Sequence, residues 1–222
     1  MRLLLVRHGY SEHVRRDLIA DVEGCAGLAP HGLDQARRLA ARFASSGRAD
    51  DAKLFSSPVP RARQTADVLA PVLGAPVIDM ADLRELVPGA ADGLSRAEYA
   101  EKYGQFDPMS EPTRPFSPGG ESWNEFRTRV EKTLDLLART NAGKTVVAVS
   151  HAGFIVVAMR LLLGMSHTGQ EAFLDPVNTA ITEWTFEAGR WNLARYNDAA
   201  HLGLEWPGPA EPSTPAGQQR SA

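Results

Sequence analysis

One cysteine, Cys25, stands among 222 residues. No internal disulfide can form, which excludes a disulfide-stapled scaffold and favours a reducing compartment. Strong charge of one sign is missing too: 24 Lys and Arg face 27 Asp and Glu, a formal net of −3. That balance argues against a general nucleic-acid or anionic-membrane binder, so any pull on an anion must come from a local cluster. Long apolar runs are absent. Leu3–Val6 stops at Arg7 and His8, too short for an export segment. Phe154–Leu163 is half a membrane span and is interrupted by Arg160. The expectation is a soluble, cytoplasmic chain. No internal repeat is visible, and no paired His or carboxylates stand at metal-ligand spacing. Basic residues divide into 20 Arg and 4 Lys, a bias to which no function is attached.

What is present is ordinary globular material, 43% hydrophobic and 23% charged, in a chain long enough to bury roughly 70% of its unfolded surface. Leu3–Val6 reads as a buried strand. Residues 9–30, with Gly9, Gly24, Gly27 and Pro30, read as a long loop. From His31 the positions Leu33, Ala36, Leu39, Ala40 and Phe43 recur at helical spacing. Lys53–Ser56 is a second strand, and Pro58 and Pro60 open a helix striped by Ala62, Ala66, Leu69 and Leu73. Val77 and Ile78 suggest an edge strand. Ser95–Glu98 and Ser122–Glu125 are capping boxes, the first starting a short helix ended by Gly104, the second a long helix.

Residues 107–120 are rich in Pro and Gly and read as a lid or binding loop. Thr145–Val149, continuously apolar and β-branched, predicts a central parallel strand, followed by a buried helix near 154–163. Ile181–Phe186 and Trp191–Tyr196 predict a terminal hairpin. The alternation implies an α/β layered fold, one domain over 1–204 with a cap at about 85–120, and a disordered tail over 205–222.

In open α/β sheets ligands bind beyond the carboxyl ends of the parallel strands. Arg7-His8-Gly9 follows the first strand, Arg61 opens the helix after the second, and Ser150-His151-Ala152-Gly153 follows the central one. The loop after the edge strand supplies Glu85. Two histidines, two arginines and a carboxylate therefore converge on one rim, a set suited to a phosphoryl group. Arg engages two phosphate oxygens and stays charged. The helix starts near Arg61 and Gly153 add N–H donors. An imidazole with one unprotonated nitrogen can attack phosphorus, and a carboxyl such as Glu85 can protonate a leaving alkoxide.

Singly, each residue has a bland reading. His8 alone is as readily structural, and Arg7 alone a surface cation. Arg63 rivals Arg61, while Asp82 and Asp92 rival Glu85. His13, His31, His167 and His201 follow no strand end and read as structural. Cys25 has no nearby His and does not read as a catalytic thiol.

Leu4–Gly9 resembles the phosphohistidine signature of the histidine phosphatase superfamily, the phosphoglycerate mutase-like fold. Ser56–Ala66, Leu83–Leu86, Asp92–Leu94, Gly119–Ser122, Val149–Gly153 and Asn178-Thr179 are similar to that family in the family's order, from about residue 1 to 197. The resemblance implies a three-layer α/β/α sandwich around a mostly parallel sheet with a C-terminal hairpin. It implies His8 as a transiently phosphorylated nucleophile, with Arg7, Arg61 and His151 as the phosphate pocket. Glu85 would be proton donor and then base, and Ser11 the small hydroxyl residue near the phosphate. The family needs no metal or other cofactor.

Tyr10 and Val14 depart from the pattern, standing where a Glu or Gln and an Asn are frequent. Both bear on the substrate side. Arg15, Arg16 and Arg84 offer a second anion contact but read first as solvated charges. The expected activity is hydrolysis of a small phosphorylated substrate by a phosphoric monoester hydrolase, with a homo-oligomer left open. Three alternatives stand beside it: a mutase using the same pocket, a catalytically weak phospholigand-binding regulator, and a metal-dependent hydrolase.

Overall fold

A strand that is apolar on both sides must be covered on both, and that requirement organises this chain. The computed structural model describes residues 1–47, 49, 51–165 and 174–203; the expected tail at 205–222 and His167 lie outside them. In chain order the elements are β1 (Arg2–Arg7), α1 (Glu12–Arg15), α2 (Pro30–Ser46), β2 (Lys53–Ser56), α3 (Pro60–Leu73) and β3 (Val77–Asp79). After these come α4 (Arg96–Tyr103), α5 (Trp123–Thr140), β4 (Thr145–Ser150), α6 (Ala152–Leu162), β5 (Ile181–Glu187) and β6 (Arg190–Asp198).

The strands form one sheet in the order β3-β2-β4-β1-β5-β6. β4 is hydrogen-bonded in parallel to both β1 and β2, and β3 adds to β2 as a parallel edge. β5 turns antiparallel against β1 and carries β6 to the other edge. Strand alternation assigns the core. Leu3, Leu5, Val146 and Ala148 face α5 and α6 through Phe126, Val130, Leu137, Phe154 and Ile155. Leu4, Val6, Val147 and Val149 face α2 and α3 through Leu39, Phe43, Ala62, Ala66 and Leu69. Each fully buried Leu or Val contributes about 1.5–3 kcal/mol, so the uninterrupted apolar runs of β1 and β4 commit them to the sheet's centre. The expected α/β layering, central strand and terminal hairpin are all present.

Helix ends follow local chemistry. α2 and α3 start on proline and stop at Gly47 and Gly74, both left-handed, with φ of 58° and 60°. Ser95 and Ser122 each accept from the backbone N–H three residues on, while Glu98 and Glu125 reach back to the serine N–H.

Residues 9–30 depart from the expected loop. They hold the single-turn α1, an isolated bridge from Ser11 to Leu28 and another from Leu18 to Ser95. Asp92 carboxylate oxygens accept the N–H groups of Asp21, Glu23 and Gly24. The order therefore comes from residues some seventy positions away, which no local pattern reports. Residues 107–120 form turns apart from a bridge of Pro115 to Ser122. Phe116 stacks on Tyr99 at 4.4 Å, and the Tyr99 hydroxyl donates to its carbonyl. Among the described residues no helix is long and apolar enough to cross a membrane.

The cap of α5 is testable. Ser122→Ala removes the hydroxyl that accepts the Glu125 N–H while leaving the backbone N–H of residue 122 on the Glu125 carboxylate, and should cost about 1 kcal/mol, read as a lower denaturation midpoint at unchanged slope; an unchanged midpoint would mean that the hydroxyl contributes nothing.

Candidate active site

The carboxyl ends of β1, β2 and β4 lie side by side, because the His8 N–H donates to the Ser150 carbonyl at 2.9 Å and the Ser57 N–H to Val149 at 3.0 Å. His8 and Ser57 are thereby held by main-chain bonds of the sheet itself, and His151 follows Ser150 directly. The rings of His8 and His151 are 5.1 Å apart, and both residues are buried.

The tautomer of His8 follows from its partners. Nδ1 lies 2.7 Å from the Gly9 carbonyl, which can only accept, so the ring proton sits there. Nε2 then carries a lone pair, and it accepts from the Arg61 Nε–H at 3.1 Å. Arg61 is 3% exposed and spends a second donor, Nη1, on the Ala20 carbonyl at 2.8 Å. Burial, then the Arg61 and Arg7 guanidiniums, hold the His8 pKa well below its ordinary 6.5. Burial followed by Arg61 does the same to His151. The His151 Nε2 meets the Ser57 hydroxyl at 2.9 Å. The His151 Nδ1 is buried and has no hydrogen-bond partner.

Arg7 donates from Nη1 to the Pro176 carbonyl and lies 3.8 Å from the exposed Asp175. Its Nε is buried and has no hydrogen-bond partner, and burial lowers its pKa. The rivalry at the start of α3 resolves by helical geometry. Arg61 turns inward, whereas Arg63 pairs with Asp67 and Asp79 on the surface, each at 2.9 Å.

Glu85 projects beside the first turn of α6. Its carboxylate accepts the Gly153 N–H at 2.9 Å and the Leu86 N–H at 3.2 Å. A Cβ on residue 153 would stand 2.1 Å from a Glu85 oxygen, so glycine is what lets the carboxylate approach. This corrects one expectation: the Gly153 N–H is already spent on Glu85. The rival acids are engaged elsewhere. Asp92 clamps the 21–24 backbone, and Asp82 is exposed.

Arg7, His8, Arg61 and Glu85 share a cavity of about 310 Å³. Val14 also lines it, whereas Tyr10 does not and instead meets the edge of His31 at 6.3 Å between ring centroids. Ser11 is fully buried, with its hydroxyl 2.8 Å from the His13 Nδ1. Arg15 and Arg16 pair with Glu12, and Arg84 with Asp21, so none is a free second anion contact. Among the described residues no group of three or more His, Cys, Asp or Glu could hold a metal ion.

Residues 3–199 match the histidine phosphatase superfamily (branch 1). The chain belongs to that superfamily. It is 30% identical over 206 residues to a "probable phosphatase" of Schizosaccharomyces pombe, an alignment covering 90% of this chain and 70% of that one. It is 35% identical over 207 residues to a "bifunctional protein" of Mycobacterium tuberculosis, and there it spans 55% of the relative's length. Among solved structures it superposes with a TM-score of 0.72 and 28% identity on a phosphoserine phosphatase from Entamoeba histolytica, a histidine-to-alanine mutant in complex with phosphoserine. That superposition covers 90% of this chain and 98% of that one.

Three residues of this superfamily member surround the site without having been singled out as site residues. His13 read as structural from its place in a loop, yet its ring lies 6.3 Å from His8 and lines the cavity. Asn178 donates to the His8 carbonyl at 2.9 Å. Arg129 donates to the carbonyls of Asp82, Arg84 and Glu85 while pairing with Glu121, so one guanidinium fixes the loop that presents Glu85. The Gly119-Gly-Glu-Ser122 motif marked Glu121, but nothing local marked its partner.

Burial lowers the pKa of His13 to about 3 and of His201 to about 4, alongside His8 and His151. Between those values and about 6.5 the unfolded chain binds protons that the folded chain refuses, so stability rises with pH in that window. The thermal midpoint should fall steadily as pH drops from about 6.5 towards 4. A midpoint flat across that range would contradict the neutral, buried imidazoles.

Proposed function

We propose that this member of the superfamily hydrolyses phosphate monoesters through a covalent phosphohistidine on His8. The carrying observation is a neutral imidazole whose Nε2 lone pair meets a buried guanidinium, with two further buried nitrogens, Arg7 Nε and His151 Nδ1, lacking partners. Buried polar atoms are rarely left unpaired, and two guanidiniums and a second imidazole beside one nucleophile fit the oxygens of a phosphoryl group. Relatives named as phosphatases support the same reading.

In the first half-reaction the His8 Nε2 lone pair forms a bond to phosphorus as the ester P–O bond breaks. Glu85 gives a proton to the departing alkoxide oxygen. The Arg61 Nε–H leaves Nε2 for a phosphoryl oxygen, and Arg7 and His151 take the others, drawing off charge as it develops. The Nδ1–H bond to the Gly9 carbonyl keeps the ring oriented and stabilises it when both nitrogens are substituted. In the second half, Glu85 as carboxylate takes a proton from water. The water oxygen bonds phosphorus and the P–N bond returns its electron pair to Nε2. Ser11 sits beside His13 as the small hydroxyl near the phosphate. On this reading residues 1–204 are one catalytic unit, with the segment about 85–120 as its cap.

Activity of purified variants tests the assignment. His8→Ala should lose at least about a thousandfold in kcat while keeping its circular dichroism, and Glu85→Gln about a hundredfold or more. EDTA should leave the rate unchanged. Full activity in folded His8→Ala would overturn the nucleophile. Isomerisation of 3-phosphoglycerate in the presence of bisphosphoglycerate, with negligible phosphate release, would mean that the enzyme is a mutase.

A further inference from the structure

Besides Arg7, His8, Arg61 and Glu85, the cavity has walls of a different character. Val14, Leu18, Ile19, Leu86 and Phe116 line it, with His13 and Arg96 as further polar side chains. None of the five apolar residues is buried in the free protein, and Val14 is 44% exposed. Apolar side chains gathered half-covered around a cavity leave surface that a ligand can remove from water.

The walls are fixed rather than loose. The Ile19 N–H donates to the Leu94 carbonyl at 2.8 Å, and the Gly93 N–H returns to Ile19 at 2.9 Å. Phe116 is held by its stack on Tyr99. Leu86 follows Glu85 directly in the loop clamped by Arg129. Neither polar residue brings a lone charge: Arg96 is ion-paired with Asp17 at 3.1 Å, both exposed, and burial holds the His13 pKa down to about 3, with its Nδ1 on the Ser11 hydroxyl.

On the reading that Arg7, His8 and Arg61 take a phosphoryl group, we infer that this enzyme selects monoesters whose alcohol is apolar and uncharged, an aryl-alkyl or short branched alkyl phosphate. Phosphorylated amino acids and phosphoglycerates would have to set an ammonium or carboxylate against Leu18, Ile19 and Phe116 and lose its hydration there. The small cavity limits the alcohol to about one ring. Val14 lines the cavity, is 44% exposed and offers a polar substrate no hydrogen bond.

The test compares primary alkyl esters, so that leaving-group chemistry does not decide the outcome. Benzyl phosphate should exceed O-phosphoserine and 3-phosphoglycerate in kcat/KM by about tenfold or more, mainly through KM. Val14→Asn should narrow that ratio by about threefold to tenfold, with the change carried by KM and an unchanged thermal midpoint. Calorimetry with the phosphonate isosteres of benzyl phosphate and phosphoserine, in which CH₂ replaces the bridging oxygen, should give the same order of affinity. That binding arm does not depend on turnover, so it tests the pocket even if His8-dependent hydrolysis is not found. Equal or tighter binding of the phosphoserine isostere would overturn the inference. So would phosphoserine turnover that is faster than benzyl phosphate and lost in Arg96→Gln, which would assign the mouth of the cavity to a carboxylate.

Discussion

The contact between the Arg61 Nε–H and the His8 Nε2 is the constraint on which the site depends. A guanidinium cannot give up its proton under ordinary conditions, so the imidazole facing it must be the acceptor. Burial adds to this, because a second positive charge beside Arg61 and Arg7 would have no water to disperse it. The fold therefore stores a neutral, oriented imidazole among cations. Burial and Arg61 likewise keep His151 neutral, and its buried Nδ1 has no protein hydrogen-bond partner.

Holding such a cluster together falls to groups outside it. The strand ends supply main-chain bonds for His8 and Ser57. Asn178 fixes the His8 carbonyl, and the neighbouring Thr179, at a φ of 62°, places its N–H on the Arg7 carbonyl at 2.9 Å. A β-branched residue in the left-handed region is strained, and Thr179 is held there by hydroxyl contacts to Asn178 and His201. On the opposite side Arg129 and Glu121 fasten the Glu85 loop. The chemistry collects where three strand ends meet, but its precision comes from side chains on α5 and from the corner before β5.

Much of this was legible in the residues. Unbroken apolar runs at Leu3–Val6 and Thr145–Val149 located the central strands, and the capping serines located two helices, because burial and capping act locally in sequence. The motifs following the strands brought His8, Arg61, Glu85 and His151 to one rim. What could not be read was set by distant partners. The order of residues 9–30 depends on Asp92 and Ser95, the role of Gly153 on the approach of Glu85, and the place of His13 on a single-turn helix. The departures at Tyr10 and Val14 looked equivalent in the sequence, yet only Val14 faces the cavity. That difference comes from which side of α1 and its preceding turn each residue occupies: Tyr10 meets the edge of His31, and Val14 lines the cavity.

The central claim is that the His8 Nε2 carries the phosphoryl group. Quenching the enzyme in alkali during turnover of a phosphorus-labelled monoester, then locating the label by mass spectrometry and ³¹P resonance, tests it most directly. The account predicts label on His8 alone, bonded at Nε2 and acid-labile. Label on another residue, or steady turnover with no protein-bound phosphate at any time, would contradict it.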